Sequence, residues 1–229
     1  MEFVFSPEKF PSVPMYGSAQ LFPVHRIYCV GRNYSDHVKE MGGDPKSEPP
    51  VFFSKPADAV VIENQSIKYP QATADLHHEV ELVIALSHGG KDISAGDALH
   101  CVFGYAVGVD LTRRDLQATA KKHGRPWDVA KGFDHSAPIS AINPVSNLVH
   151  HPKEGAIVLS VNGEVRQQAD LSEMIWSVTE IICELSRYYE LKPGDLIFTG
   201  TPSGVGAIKT GDKVRAEIAK VGSLEFTLV

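Results

Sequence analysis

The chain has 229 residues, of which 43% are hydrophobic and 22% charged, a balance that argues for a folded globular protein and against disorder. Its net charge of −6, with no run of Lys or Arg, excludes the electrostatic footprint of a nucleic-acid binder. No stretch of about 18 apolar residues occurs, so no membrane partner is expected.

One domain is expected at this length, preceded by a short arm. Cys29, Cys101 and Cys183 lie far apart in apolar settings and read as reduced core thiols. No basic segment followed by an apolar one opens the chain, so the cytoplasm is the expected location.

Residues 1–24 contain Pro7, Pro11, Pro14 and Pro23 and few periodic apolar positions. They read as an extended arm lying over the body or over a partner subunit. Ile27 to Val30 is a short apolar strand stopped by Gly31, and Asn33 to Met41 a short polar helix closed by Gly42-Gly43-Asp44-Pro45. Strands follow at Val51 to Phe53 and Val60 to Ile62, then a polar, turn-rich stretch to Asp75. Leu76 to Leu86 is a longer strand, Ser94 to His100 a short helix capped by Ser94, and Gly104 to Asp110 another strand.

Thr112 to His123 has an early acid, late bases and a glycine stop, the pattern of a helix. Asn162-Gly163 suits a type I′ turn between strands at Ile157 to Val161 and Glu164 to Gln167. Met174, Ile175, Val178, Ile181, Ile182 and Leu185 fall on one stripe of a helix placed over Leu171 to Tyr189. Leu196 to Thr199, Lys213 to Ile218 and Leu224 to Val229 are the last strands. Many short strands, few helices and frequent Gly/Pro turns predict a β-rich α+β fold with a rolled or barrel-like sheet.

Glu79 and Glu81 sit two apart in an otherwise apolar strand, so their carboxylates share one face. A lone Glu-x-Glu is as often the polar side of an edge strand. The apolar residues beyond Glu81 instead indicate a buried strand, where two like charges cost several kcal/mol without a cation or protons. Asp110 ends a second apolar strand and completes a set of three acids without cysteine. Such a set suits a hard divalent cation, Mg²⁺ or Mn²⁺.

His37 and Glu40 are three apart on the short polar helix, close enough for the carboxylate to orient the imidazole as a general base. The same pair on a solvated surface would be commoner; the flanking glycines suggest a lid instead. Lys131, in an apolar context, is a candidate to hold an anionic substrate oxygen, although most lysines are surface residues. Arg114 and Gln117 lie one turn apart and can face the metal site together. Thr199-Gly200-Thr201-Pro202-Ser203-Gly204-Val205-Gly206 follows a strand but ends without the Lys-Ser/Thr of a phosphate loop. Its backbone N–H groups suit a carboxylate.

In this order the motifs resemble the fumarylacetoacetate hydrolase family. They are Gly31-Arg32-Asn33-Tyr34 with His37 and Glu40, His78-Glu79-Val80-Glu81-Leu82, Val109-Asp110-Leu111-Thr112, Arg114-Asp115 with Gln117, Pro126-Trp127, Ala130-Lys131, and Phe198-Thr199-Gly200-Thr201-Pro202 with Gly204-Val205-Gly206. The resemblance covers residues 25–229 and leaves the arm outside. It implies a mixed β-sandwich roll, a homodimer, and Mg²⁺ or Mn²⁺ on Glu79, Glu81 and Asp110. It also implies a lid bearing His37 and Glu40, with Lys131, Gln117, Arg114 and Thr201 lining the substrate pocket.

Within the family the chain is similar to the compact acylpyruvate-cleaving members, and most to bacterial fumarylpyruvate hydrolases of gentisate-type aromatic degradation. The finer likeness rests on the arm, on Phe22 to Val30 and on Pro49 to Ala59. The implied substrate is a small 2,4-diketo acid, with Arg32 a candidate for a second carboxylate. Decarboxylation of oxaloacetate, a broader acylpyruvase, a tautomerase or hydratase, and a non-catalytic carboxylate binder are the alternatives. The His–Glu pair, lysine and glutamine aimed at one site argue against the last.

Overall fold

The run Val80–Leu86 is buried along its whole length, and the molecule is organised around it. Leu82, Ile84 and Leu86 enter one hydrophobic cluster, while Val83 and Ala85 enter a second on the opposite face. A strand covered on both sides needs apolar residues at every position, which is why this segment lacks the usual alternation. The computed structural model describes residues 3–6, 10–34, 49–62 and 65–229.

The main sheet runs in the order Val51–Lys55, Arg26–Gly31, Asp195–Phe198, Val80–Leu86, Val102–Val109, Ala137–Ile139 and Val60–Ile62, with Asn143–Pro144 pairing beside Val102–Val109. It is mixed: Asp195–Phe198 runs parallel to Arg26–Gly31 and antiparallel to Val80–Leu86. A five-stranded sheet of Glu164–Asp170, Ala156–Val161, Lys213–Ile218, Gly222–Leu228 and Ser66–Ile67 supplies Leu159, Val214, Ala216 and Phe226 to the first cluster. A small third sheet joins Thr112–Arg113, Leu76–His78 and Gly206–Ile208. The β-rich α+β roll expected from the sequence is the observed architecture.

Three α-helices lie among the described residues: α1 (Arg114–Lys122), α2 (Asp128–Lys131) and α3 (Val178–Tyr188). The hairpin at Asn162-Gly163 forms as expected, with φ of 53° and 85° at the two turn residues, both in the sense a type I′ turn requires. All three cysteines are free thiols, two of them buried.

Several expected elements change. The long helix placed over Leu171 to Tyr189 is a 3₁₀ turn at Leu171–Glu173, an extended step, and then α3. The backbone N–H of Ile175 is given to the Asn33 carbonyl at 2.8 Å, and that of Trp176 to Asn33 Oδ1 at 2.6 Å. These long-range bonds win over helix continuation, and Ser177 with Glu180 forms a capping box that starts α3 afresh. The helix expected from Ser94 shrinks to a 3₁₀ turn at Ala98–Cys101, in a segment weakened by Gly96 and Asp97. Gly206–Ile208, where the glycine-rich segment ends, is a strand for which the sequence carried no expectation.

The arm folds back as a hairpin of Ser12–Pro14 and Leu21–Pro23, seating Val13 and Phe22 in the second cluster. Of the expected helix from Asn33 to Met41, only Asn33 and Tyr34 fall among the described residues. No helix among the described residues is long and apolar enough to cross a membrane.

Candidate active site

The pairing of Val80–Leu86 with Val102–Val109 sets Val80 opposite Val109 and Glu81 opposite Gly108. One step beyond that register, Asp110 must meet Glu79, and the Asp110 N–H donates to the Glu79 carbonyl at 2.8 Å. Glu79 itself is the step at which the chain leaves the small sheet at His78 and enters the main one at Val80. Ligand atoms of Glu79, Glu81 and Asp110 lie within 4.8 Å of one another, and all three residues are buried.

Cations from three other segments brace these acids. Lys131, closing α2 and 2% exposed, donates to Glu79 Oε2 at 2.8 Å, Asp110 Oδ2 at 2.6 Å and Thr112 Oγ1 at 2.6 Å. All three of its protons are thereby engaged, so reaching a substrate oxygen would require exchanging one of them. Arg114, opening α1, donates through Nη2 to Glu79 Oε1 and through Nη1 to Gln117 Oε1 at 2.5 Å. With its carbonyl oxygen so occupied, the Gln117 amide has its NH₂ end left to donate. Lys55, ending the strand Val51–Lys55, places Nζ 2.9 Å from Asp110 Oδ1 and also donates to the carbonyls of Leu111, at 3.2 Å, and Lys131.

The electrostatics split the two glutamates. Burial favours the neutral acid at Glu79, but Lys131 and Arg114 outweigh it and hold the pKa down at about 2. At Glu81 burial acts first, Asp110 and Glu79 add their repulsion, and the pKa rises well above the carboxylate range. One hydrogen bond favours its charged form, from the Gly200 N–H at 2.7 Å. The glycine-rich segment does present a backbone donor to a carboxylate, and the carboxylate is Glu81.

The trio fits a hard divalent cation. It offers only oxygen donors, Asp110 Oδ1 is a buried carboxylate oxygen that no hydrogen bond satisfies, and the Lys55 ammonium beside it is misaligned. The acids at Glu79 and Glu81 open onto a cavity also lined by Arg32, Phe53, Arg114, Gln117, Trp127, Lys131 and Thr201. A roomier cavity, bounded by Leu99, Leu148, His151 and Lys153, lies apart from the acid cluster.

The structure thus gathers Glu79, Glu81, Asp110, Lys131, Arg114, Gln117, Thr201 and Arg32 about one place. His37 and Glu40 lie outside the described residues. Sequence reasoning missed Lys55 and Gln167 altogether. Lys55 had a faint signal, a lone cation closing an apolar strand. Gln167 had none, because it sits in the polar strand Glu164–Asp170 and looks like its solvated neighbours.

Gln167 is 1% exposed. Its Oε1 accepts from the Val80 N–H at 3.1 Å and pairs with His78 Nδ1 at 2.8 Å, while its Nε2 donates to Thr201 Oγ1 at 2.8 Å. It thereby holds Thr201 in register with the strand that carries Glu81. Asn33, also buried, donates to the carbonyls of Thr199 at 2.7 Å and Trp176 at 3.0 Å, tying the segment before His37 to the glycine-rich one.

Comparison with known proteins agrees with this picture. The family model described as fumarylacetoacetate (FAA) hydrolase C-terminal matches residues 26–229. The mitochondrial oxaloacetate tautomerase of Rattus norvegicus is 45% identical over 200 residues, covering 87% of this chain and 90% of that protein. The fumarylpyruvate hydrolase of a Ralstonia species is 40% identical over 185 residues, covering 81% and 95%. The crystal structure of fumarylpyruvate hydrolase from Pseudomonas aeruginosa in complex with Mn²⁺ and pyruvate superposes with a TM-score of 0.96 at 50% identity, covering 100% of this chain and 99% of that one. The chain belongs to the fumarylacetoacetate hydrolase family of enzymes.

Proposed function

We propose that the protein hydrolyses the C3–C4 bond of a 2,4-diketo acid, with fumarylpyruvate, cleaved to fumarate and pyruvate, as its substrate. The observation that carries the reading is the buried set of Glu79, Glu81 and Asp110, braced by three cations and opening onto a cavity that already holds an amide and a hydroxyl. A close relative is described in complex with Mn²⁺ and pyruvate, the fragment such a cleavage releases.

Glu79, Glu81 and Asp110 would hold Mg²⁺ or Mn²⁺. When bound, the cation supplies Lewis acidity toward the 2-keto acid end of the substrate. Lys131 and Arg114 keep Glu79 ionised, and Gly200 and Lys55 fix the other two carboxylates. His37, oriented by Glu40, takes a proton from water as its oxygen attacks C4. Lys131, exchanging its bond to Thr112 Oγ1, and the Gln117 amide donate to the oxyanion that develops, each such donor contributing roughly 3 kcal/mol. The C3–C4 electron pair leaves with the three-carbon fragment, which is protonated to pyruvate, and the acyl group departs as a carboxylic acid. The family likeness carries a homodimer with it, which sedimentation or light scattering tests directly.

A second reading, oxaloacetate tautomerisation, has its support in the 45% identical relative. The same site would serve, with proton transfer replacing attack by water. One assay separates them. Enolised diketo acids absorb in the ultraviolet, so fumarylpyruvate and acetylpyruvate should lose that band as pyruvate appears, with oxaloacetate followed in parallel. Chelation should abolish the loss, and Mn²⁺ or Mg²⁺ restore it. A stable band in both diketo acids, alongside accelerated keto–enol exchange of oxaloacetate, would reject hydrolysis in favour of the second reading.

A further inference from the structure

The cavity holds more positive charge than its acids consume. Lys131 and Arg114 are committed to Glu79, and Lys131 and Lys55 to Asp110. Two further cations line the same cavity: Arg32, just past the strand Arg26–Gly31, and Lys121, in the last turn of α1. Neither pairs with a carboxylate among the described residues.

Both are pre-positioned. Arg32 holds a φ of +62°, an uncommon backbone conformation for arginine, and is followed by Asn33, whose side chain is anchored at both ends. Lys121 stands over the Trp127 ring with Nζ 5.1 Å from its centroid. The Lys121 pKa is lowered, by partial burial of its ammonium first and then by the fields of Arg114 and Arg32, with Glu79 opposing them, as expected where cations outnumber nearby carboxylates. Lys121 lies over Trp127 and Lys131 over Phe53, and the two rings, with centroids 5.8 Å apart and planes tilted by 55°, give an apolar lining between the two lysines for the substrate chain.

We propose that Lys121, together with Arg32, is a specificity-determining site for a carboxylate at the far end of the substrate, so that the enzyme selects dicarboxylic acylpyruvates over those with an uncharged acyl tail. The proposal deepens the reading above and rests on it: the 2-keto acid end lies at the acid trio, the planar chain passes Phe53 and Trp127, and the terminal carboxylate meets Lys121 and Arg32. Both residues are exposed at the rim of the cavity, and an uncharged tail would cover them without supplying a countercharge, which is the repulsive half of the selectivity.

The test uses two inert ligands of equal length on the Mn²⁺-loaded protein. 2-Oxoheptanedioate and 2-oxoheptanoate share the 2-keto acid end and lack the C4 carbonyl, so neither is cleaved, and they differ in the terminal carboxylate. Calorimetry should show the parent preferring the dioate by roughly tenfold or more, the effect of a charge-assisted hydrogen bond. Lys121→Met should bring that preference below about threefold with 2-oxoheptanoate bound as before, and Lys121→Arg should restore it.

Equal binding of the two ligands by the parent would overturn the proposal. So would a preference that survives in Lys121→Met, or a Lys121→Met variant that weakens both ligands alike. The two readings fail separately. Cleavage of fumarylpyruvate without any ligand preference would leave the hydrolase and remove the tail site, whereas a preference without diketo-acid cleavage would do the reverse.

Discussion

Lys55→Met is the sharpest probe of how this site is built. The Lys55 side chain is fully buried; its ammonium lies 2.9 Å from Asp110 Oδ1 as an ion pair and donates to the carbonyls of Leu111 and Lys131. Methionine is unbranched, reaches as far as the lysine Cε and can pack against Phe133, so only the space of the ammonium group is vacated. What is lost is electrostatic. Removing one partner of a buried ion pair costs about 3–5 kcal/mol, and Asp110 keeps Lys131 on its other oxygen, which favours the low end of that range. The Leu111 carbonyl loses this donor and adds about 1 kcal/mol, whereas the Lys131 carbonyl keeps the Ser136 hydroxyl at 3.1 Å; the desolvation that the missing charge no longer requires offsets part of the loss.

The expected loss is about 3 kcal/mol, a large share of the roughly 5–15 kcal/mol that stabilises a folded domain. Urea unfolding in EDTA keeps cation binding out of the measurement. With a slope of about 3 kcal/mol/M, the midpoint should fall by about 1 M. Lys213→Met, at an exposed pair whose Nζ lies 2.9 Å from Glu225, is the control and should cost less than about 1 kcal/mol. Equal midpoint shifts for the two variants would refute the claim that Lys55 supports Asp110.

Three further substitutions probe the rest of the site. Gly200→Ala builds a Cβ 2.6 Å from Asn33 Cβ at a φ of +96°, so it should cost about 2 kcal/mol or more and weaken Mn²⁺ binding by shifting the donor to Glu81. Calorimetric affinity equal to the parent's would show that this donor does not position Glu81. Gln167→Leu strips partners from His78, Val80 and Thr201 and should lower kcat/KM roughly tenfold, with the urea midpoint reduced as well. Unaltered kinetics would separate Thr201 from substrate binding. His37→Ala should reduce kcat by roughly 10²–10⁴-fold while Mn²⁺ still binds, and an unchanged kcat would remove His37 from the mechanism.

Much of this protein can be read from local spacing. Asn162-Gly163 specifies its turn because both residues tolerate positive φ, and Asp115 early with Lys121 and Lys122 late outlines α1. Ser177-Val178-Thr179-Glu180 carries the start of α3, although the apolar stripe beginning at Met174 obscures it. The acid trio is likewise visible, because carboxylates inside apolar strands require a cation or a proton wherever the strands lie.

Spacing reports only what lies within a few residues, and the remainder was settled by contacts between distant segments. Asp110 stands beside Glu79 because Val109 pairs with Val80, a register set by burying both faces of Val80–Leu86. Lys55 and Lys131 differ from solvated lysines by their burial against Asp110, which nothing adjacent in the chain encodes. The convergence of Arg32 and Lys121 on one cavity follows from the same packing. Residue types and local periods therefore determined which chemistry was available, and the tertiary fold decided which charges neutralise one another and which stand without a countercharge among the described residues.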